Sequence, residues 1–142
     1  CCGEPLCAEG DEVFLFPTPE QLCGLTEAQL TGCGLGYRTR YIQHAAAQAA
    51  ARTLDLDALA VLPDDALFSR LLTLDGVGKK VANCVCLFGY GRTAMAPIDV
   101  WIQRLIDEEF GGRDPFPAYG QQAGIVQQYL FYYKRSTSTQ KK

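Results

Sequence analysis

Apolar residues recur at helical spacing along most of the chain, and punctuation by threonine, proline and glycine divides the pattern into segments. FPTPEQL predicts the entry to a short helix, with Thr18 as N-cap and Pro19 at the first helical position. Thr26 caps a second short helix, which the glycines of GCGLG (Gly32, Gly34, Gly36) end. Residues 37–54, rich in alanine, read as one long helix, and LDLDALAVL continues helically to Pro63. Pro63-Asp64-Asp65 opens another helix, running to Leu74. Residues 79–88 are apolar on one face, and residues 100–110 are amphipathic, with Trp101/Leu105 and Ile102/Ile106 as i,i+4 pairs. A final helix covers 119–133. Only EVFLF has the character of a strand, so the expected class is all-α. One domain over 1–135 is followed by a frayed tail, STSTQKK, over 136–142.

Composition narrows the class. With 142 residues, 48% of them hydrophobic, the chain has the length of one domain or a large part of one, and can bury a core. No apolar run approaches the roughly 20 residues of a membrane span and no signal segment opens the chain, so no membrane partner is expected and a cytoplasmic location is the default. The chain begins CCGEPLC without methionine, and its natural start is expected upstream. Seven cysteines at irregular spacings (Cys1, Cys2, Cys7, Cys23, Cys33, Cys84, Cys86) do not form a secreted disulfide framework. Cys84-x-Cys86 lacks the second pair or the histidine of a zinc site, so no metal is expected and buried free thiols are the reading.

The net charge of −3 is unlike that of a dedicated duplex binder, but it is unevenly spread. The first 33 residues carry six acids and no Lys or Arg, which leaves the remainder net positive. Any basic face belongs to the later part.

The sharpest motif is LLTLDGVGKKVANC, residues 71–84. Apolar Leu71, Leu72 and Leu74 stop at Gly76-Val77-Gly78, and a second helix starts at Lys79-Lys80, with Ala82 and Val85 to pack. Two glycines permit a tight hairpin between helices. The first amides of the second helix then point outward at the positive end of its dipole, which suits a phosphate. The plain alternative is a connection whose lysines are solvated.

Nineteen positions after Lys80, APIDVWIQRL sets Asp99 just before an amphipathic helix, where an ordinary N-cap would explain it. A glycine hairpin followed at this distance by Pro-Ile-Asp resembles the DNA glycosylase superfamily named for helix-hairpin-helix and a Gly/Pro-rich loop with aspartate. FPTPEQL, GLGYRTRYI, LDGVGKKVANCV, APIDVWI and QQYLFYY follow the order of its 8-oxoguanine branch.

The resemblance implies a bifunctional glycosylase and AP lyase acting on double-stranded DNA that contains a damaged base. Lys80 would be the Schiff-base nucleophile and Asp99 its electrostatic support. Lys79 would face solvent or phosphate, and Gly76, Val77, Gly78 and Lys79 would hold the backbone, with a monovalent cation able to bridge hairpin carbonyls to phosphate. Cys84, one turn from Lys80, and the i,i+4 pair Gln127 and Phe131 would form the base pocket, with Gln128 as a register alternative. Tyr37 resembles the wedge that fills the vacated stack, and Arg38 the arginine that contacts the orphaned partner base. No cofactor is required, and the four-cysteine iron-sulfur loop of other branches is absent. Trp101 stands where some relatives place a phosphate-contacting histidine, and His44 is read as structural. The amino-terminal β domain of this branch has no counterpart in the chain, which is expected to be a monomer, nucleoid-associated in a bacterium or nuclear in a eukaryote. Two other readings stay open: a glycosylase for another lesion such as an alkylated purine, and a non-catalytic hairpin module that only grips DNA.

Overall fold

Thr18 and Thr26 cap two helices by the same reciprocal device. Thr18 N donates to Gln21 Oε1 at 2.9 Å while Gln21 N donates to Thr18 Oγ1 at 3.2 Å, and Thr26 and Gln29 repeat the exchange. These boxes open α1 (Pro19–Cys23) and α2 (Glu27–Gly32). The computed structural model describes residues 3–8 and 11–139. Contacts group the chain into two units, one of Cys1–Val61 with Leu74–Gly76, the other of Leu62–Thr73 with Val77–Lys142.

In the first unit a hairpin precedes α1. β1 (Pro5–Ala8) pairs antiparallel with β2 (Asp11–Phe14), with Leu6 opposite Val13. The sequence reading found the second strand in EVFLF and missed the first, since PLCA is short and begins with proline, a residue tolerated at the start of an edge strand. The long helix expected over 37–54 is shorter at both ends. Gly36–Arg38 wind a 3-10 turn, and α3 spans Thr39–Ala50. It stops because Arg52 takes φ 56°, turning the chain so that the Thr53 and Leu54 amides both return to Gln48 O, at 3.0 and 3.1 Å. Asp55 then caps α4 (Leu56–Ala60) afresh, its side chain accepting from Ala58 N. α1 and α2 pack on α3, and Leu30, Ala46, Leu54 and Leu59 are buried.

The second unit begins with α5 (Asp64–Leu71), three residues shorter than expected. α6 (Lys79–Cys84) continues into a π-helical turn, Val85–Gly89. α7 covers Val100–Glu109. The expected start of the last helix at Tyr119 is corrected: Phe116–Gln122 form a 3-10 segment kinked at Gly120, and α8 runs Ala123–Thr139. Its helical end reaches into the segment read as a frayed tail, where Ser136 and Thr137 hydroxyls donate to carbonyls one turn back. Residues 140–142 of that tail lie outside the described residues. Ile102 and Ile106 of α7 close on Phe116 and Ala123, with Ala96, Ile98, Leu130 and Phe131 packed against them. Gly124 lets α8 approach the loop before α7: a Cβ there would stand 2.4 Å from Met95 O.

The class is all-α with one small hairpin. The thiols are not all buried: Cys23 and Cys33 are exposed, Cys84 is half-buried, and only Cys86 among these four is buried. Cys1 and Cys2 lie outside the described residues.

Candidate active site

α6 starts without a side-chain cap. Gly78, in extended backbone, is its N-cap residue, and the first helical bond runs from Ala82 N to Gly78 O at 2.9 Å. The amides at the head of α6 therefore have no intrahelical partner. Lys79 and Lys80 occupy this first turn and both are exposed, while Ala82 is fully buried and anchors the helix. A lysine is thus held at a fixed backbone position with its amine free to reach a ligand.

The second fixed group is Asp99. Its Oδ1 accepts from Trp101 N and Ile102 N, both at 2.9 Å, so the ordinary cap reading is correct. The cap uses one carboxylate oxygen and leaves Oδ2 for other work. Asp99 and Lys80 line one cavity of about 130 Å³, together with Cys84, Phe88, Pro97, Gln127, Gln128 and Phe131. Both also border an open hollow lined by Ile98, Val100 and Gln103.

Gln127 is 2% exposed. A buried amide has to be hydrogen-bonded, and its Oε1 accepts from Gln128 Nε2; both glutamines stand at the cavity wall, with Gln127 the deeper. Phe131, one turn on, joins the α7–α8 core on one side and the cavity on the other. Cys84 is half-buried at the wall. Cys86, which points into the core, has its thiol pushed up by burial and stays protonated.

The five residues assigned to chemistry and base pocket, Lys80, Asp99, Cys84, Gln127 and Phe131, are therefore brought together. Sequence reasoning missed Phe88 and Pro97. Phe88 lies eight residues after Lys80, where a continuous α-helix would carry it off the lysine's face; the π-helical turn of Val85–Gly89 returns it to the cavity.

Tyr37 and Arg38 belong to the first unit. Tyr37 is 71% exposed, with the Arg38 guanidinium 4.6 Å from its ring centroid and the Tyr41 ring edge-on at 6.4 Å. Tyr41 also packs against Gly76, whose φ of 76° only glycine adopts freely. Gly78 does not match the expectation of special backbone: its φ is −89° and ψ 177°. His44, read as structural, is exposed and pairs with Asp75 at 2.7 Å. Trp101 carries the Arg104 guanidinium 5.4 Å from its ring. Among the described residues no cluster of His, Cys, Asp or Glu could hold a metal ion, and no helix is long and apolar enough to cross a membrane.

An amine on the first turn of a helix after a glycine turn thus shares one cavity with a cap carboxylate and a buried amide. The chain belongs to the HhH-GPD superfamily of base excision DNA repair proteins, whose family model matches residues 4–119. It is 30% identical to a protein of Methanothermobacter thermautotrophicus named as a probable N-glycosylase/DNA lyase, over 94% of this chain and 51% of that protein. It is 36% identical to the N-glycosylase/DNA lyase of Saccharomyces cerevisiae, over 72% of this chain and 30% of that one. The 8-oxoguanine glycosylase/lyase of Clostridium acetobutylicum, solved with double-stranded DNA containing cytosine opposite 8-oxoguanine, superposes with a TM-score of 0.87 at 28% identity, covering 96% of this chain and 50% of that one. The chain spans about half the length of the first of these curated relatives.

Proposed function

We propose that the chain is the catalytic part of a bifunctional DNA glycosylase and AP lyase that releases 8-oxoguanine from double-stranded DNA. The observation that carries this reading is the single cavity in which Lys80 and Asp99 meet Cys84, Gln127 and Phe131. The neutral Lys80 amine attacks C1′ of an extruded nucleotide. The C1′–N9 bond breaks with its electron pair on the leaving base, which takes up a proton. Ring opening gives an imine, from which loss of a 2′ proton expels the 3′ phosphate by β-elimination. Only an amine that has given up its extra proton carries the lone pair for this attack, so deprotonation precedes it. Asp99 stabilises the positive charge developing on the sugar. Gln127 reads the base edge with one acceptor and one donor group, and Cys84 and Phe131 contact its faces.

In this reading the backbone is held by the amides of Gly76 to Lys79, with a monovalent cation bridging hairpin carbonyls and phosphate, while Tyr37 and Arg38 engage the vacated stack. The protein acts as a monomer where DNA is kept, and needs no other cofactor. The test is borohydride trapping on duplex containing 8-oxoguanine. Lys80→Gln should abolish the covalent adduct and leave duplex binding nearly intact. Lys79→Gln, rotated about 100° on the same helix, should keep trapping while the salt slope of binding falls by about one unit. An adduct that survives Lys80→Gln overturns the assignment.

A further inference from the structure

We infer that Phe88 is a stacking residue for the extruded base, forming an aromatic wall of the cavity in addition to Phe131 and setting how tightly a flat heterocycle is held. This rests on the function proposed above. Exposed apolar side chains are common on proteins and mean little singly. Phe88, 64% exposed, differs from the others among the described residues because it alone of the exposed large hydrophobics lines the cavity where Lys80 and Asp99 meet Gln127 and Phe131, whereas exposed Val100 borders only the open hollow beside Lys80 and has no ring to offer.

Its placement follows from the backbone. In a regular α-helix each step of four residues overshoots one turn, so a side chain eight residues after Lys80 drifts away from the lysine's face. Here the α-helix ends at Cys84 and Val85–Gly89 form a π turn, closed by the Tyr90 amide donating to Val85 O. A π turn holds more residues than an α turn, so the step from Cys84 to Phe88 falls short of a full rotation and offsets the earlier overshoot. Lys80, Cys84 and Phe88 consequently line one wall, with Phe131 of α8 on the same cavity. A phenyl ring has no polar group to justify exposure. What it offers a cavity beside a buried amide is a flat apolar face, the surface on which a purine ring stacks.

The experiment separates base recognition from attack on the sugar. Single-turnover release of 8-oxoguanine is compared with borohydride trapping on a duplex that carries a preformed abasic site and so has no base to stack. Phe88→Ala should slow release roughly 5- to 100-fold, the range that loss of one base–aromatic stack gives, with trapping on the abasic duplex unchanged. Phe88→Tyr should restore release and Phe88→Leu should not. Normal release by Phe88→Ala overturns the inference, as does an equal loss in both assays or rescue by leucine as complete as by tyrosine. Failure of the unaltered chain to trap on the abasic duplex would remove the Lys80 chemistry itself, and the stacking role with it.

Discussion

Gly76 takes φ 76°, and a Cβ there would stand 2.4 Å from ring atoms of Tyr41, whereas Gly78 is extended at φ −89° and has nothing within 4 Å of where a Cβ would be. The two glycines of one turn thus answer to different demands. Gly76 is required by the chain's own packing and backbone. Gly78 is required by neither, and the open space above it fits the proposed approach of a phosphate to the uncapped amides of α6. Residues fixed by the fold and residues fixed by a ligand can be told apart in this way, and the difference can be measured.

Asp99 is where both demands meet on one side chain, and it should show the largest effect. Asn caps helices about as well as Asp, so Asp99→Asn should leave the melting temperature nearly unchanged. It removes the negative charge beside Lys80, and base release in single-turnover assays should fall about 100- to 1000-fold, the scale of losing one preorganised electrostatic group. Asp99→Ala should lose release similarly and in addition cost about 1 kcal/mol in denaturant unfolding. A large stability loss in Asp99→Asn would mean that the carboxylate serves the fold alone.

The glycine pair itself comes next. Gly76→Ala forces a left-handed backbone on alanine and overlaps the Tyr41 ring, and should cost about 2–4 kcal/mol in chemical denaturation. Gly78→Asp supplies a good N-cap residue in open space, so stability should hold or rise slightly. Its charge and bulk stand where the phosphate is proposed to bind, so duplex affinity should drop about tenfold, most clearly at low salt. Equal destabilisation by the two substitutions would erase the distinction between them.

What the sequence made legible follows the same division. The cavity could be read because its members lie on helices at i,i+4 spacing, as with Lys80 and Cys84 or Gln127 and Phe131, and Asp99 stands at a cap that composition marks. The end of α3 could not be read, since the chain reverses at Arg52 with a positive φ that no glycine announces. The π turn was equally hidden: Val85–Gly89 carry an apolar pattern that continues an α-helix, and the altered pitch is set by packing. Phe88 was lost with it. β1 went unseen because pairing with EVFLF, not its own four residues, makes PLCA a strand.

Cys84 and Cys86 offer the gentlest form of the comparison, with two thiols two residues apart on one helical segment. Cys84 lines the cavity and is half-buried, so iodoacetamide should reach it, after the exposed Cys23 and Cys33. Its carbamidomethyl group would occupy the base pocket and should slow 8-oxoguanine release without preventing trapping on a preformed abasic site. Cys86 is fully buried with its thiol pushed up by desolvation, so it should react only on unfolding, as read by peptide mass analysis. The sign of its pH dependence follows. In the folded chain Cys86 keeps its proton above the ordinary thiol value of about 8.5, where the unfolded chain begins to lose it. The folded state then binds more protons, and stability declines as pH rises from that value toward the raised folded one. A small fall in melting temperature above about pH 9 should therefore appear, and Cys86→Ala should flatten it, whereas Cys84→Ala should not. If Cys84→Ala flattens the profile and Cys86→Ala does not, the two thiols have been assigned to the wrong sides of the helix.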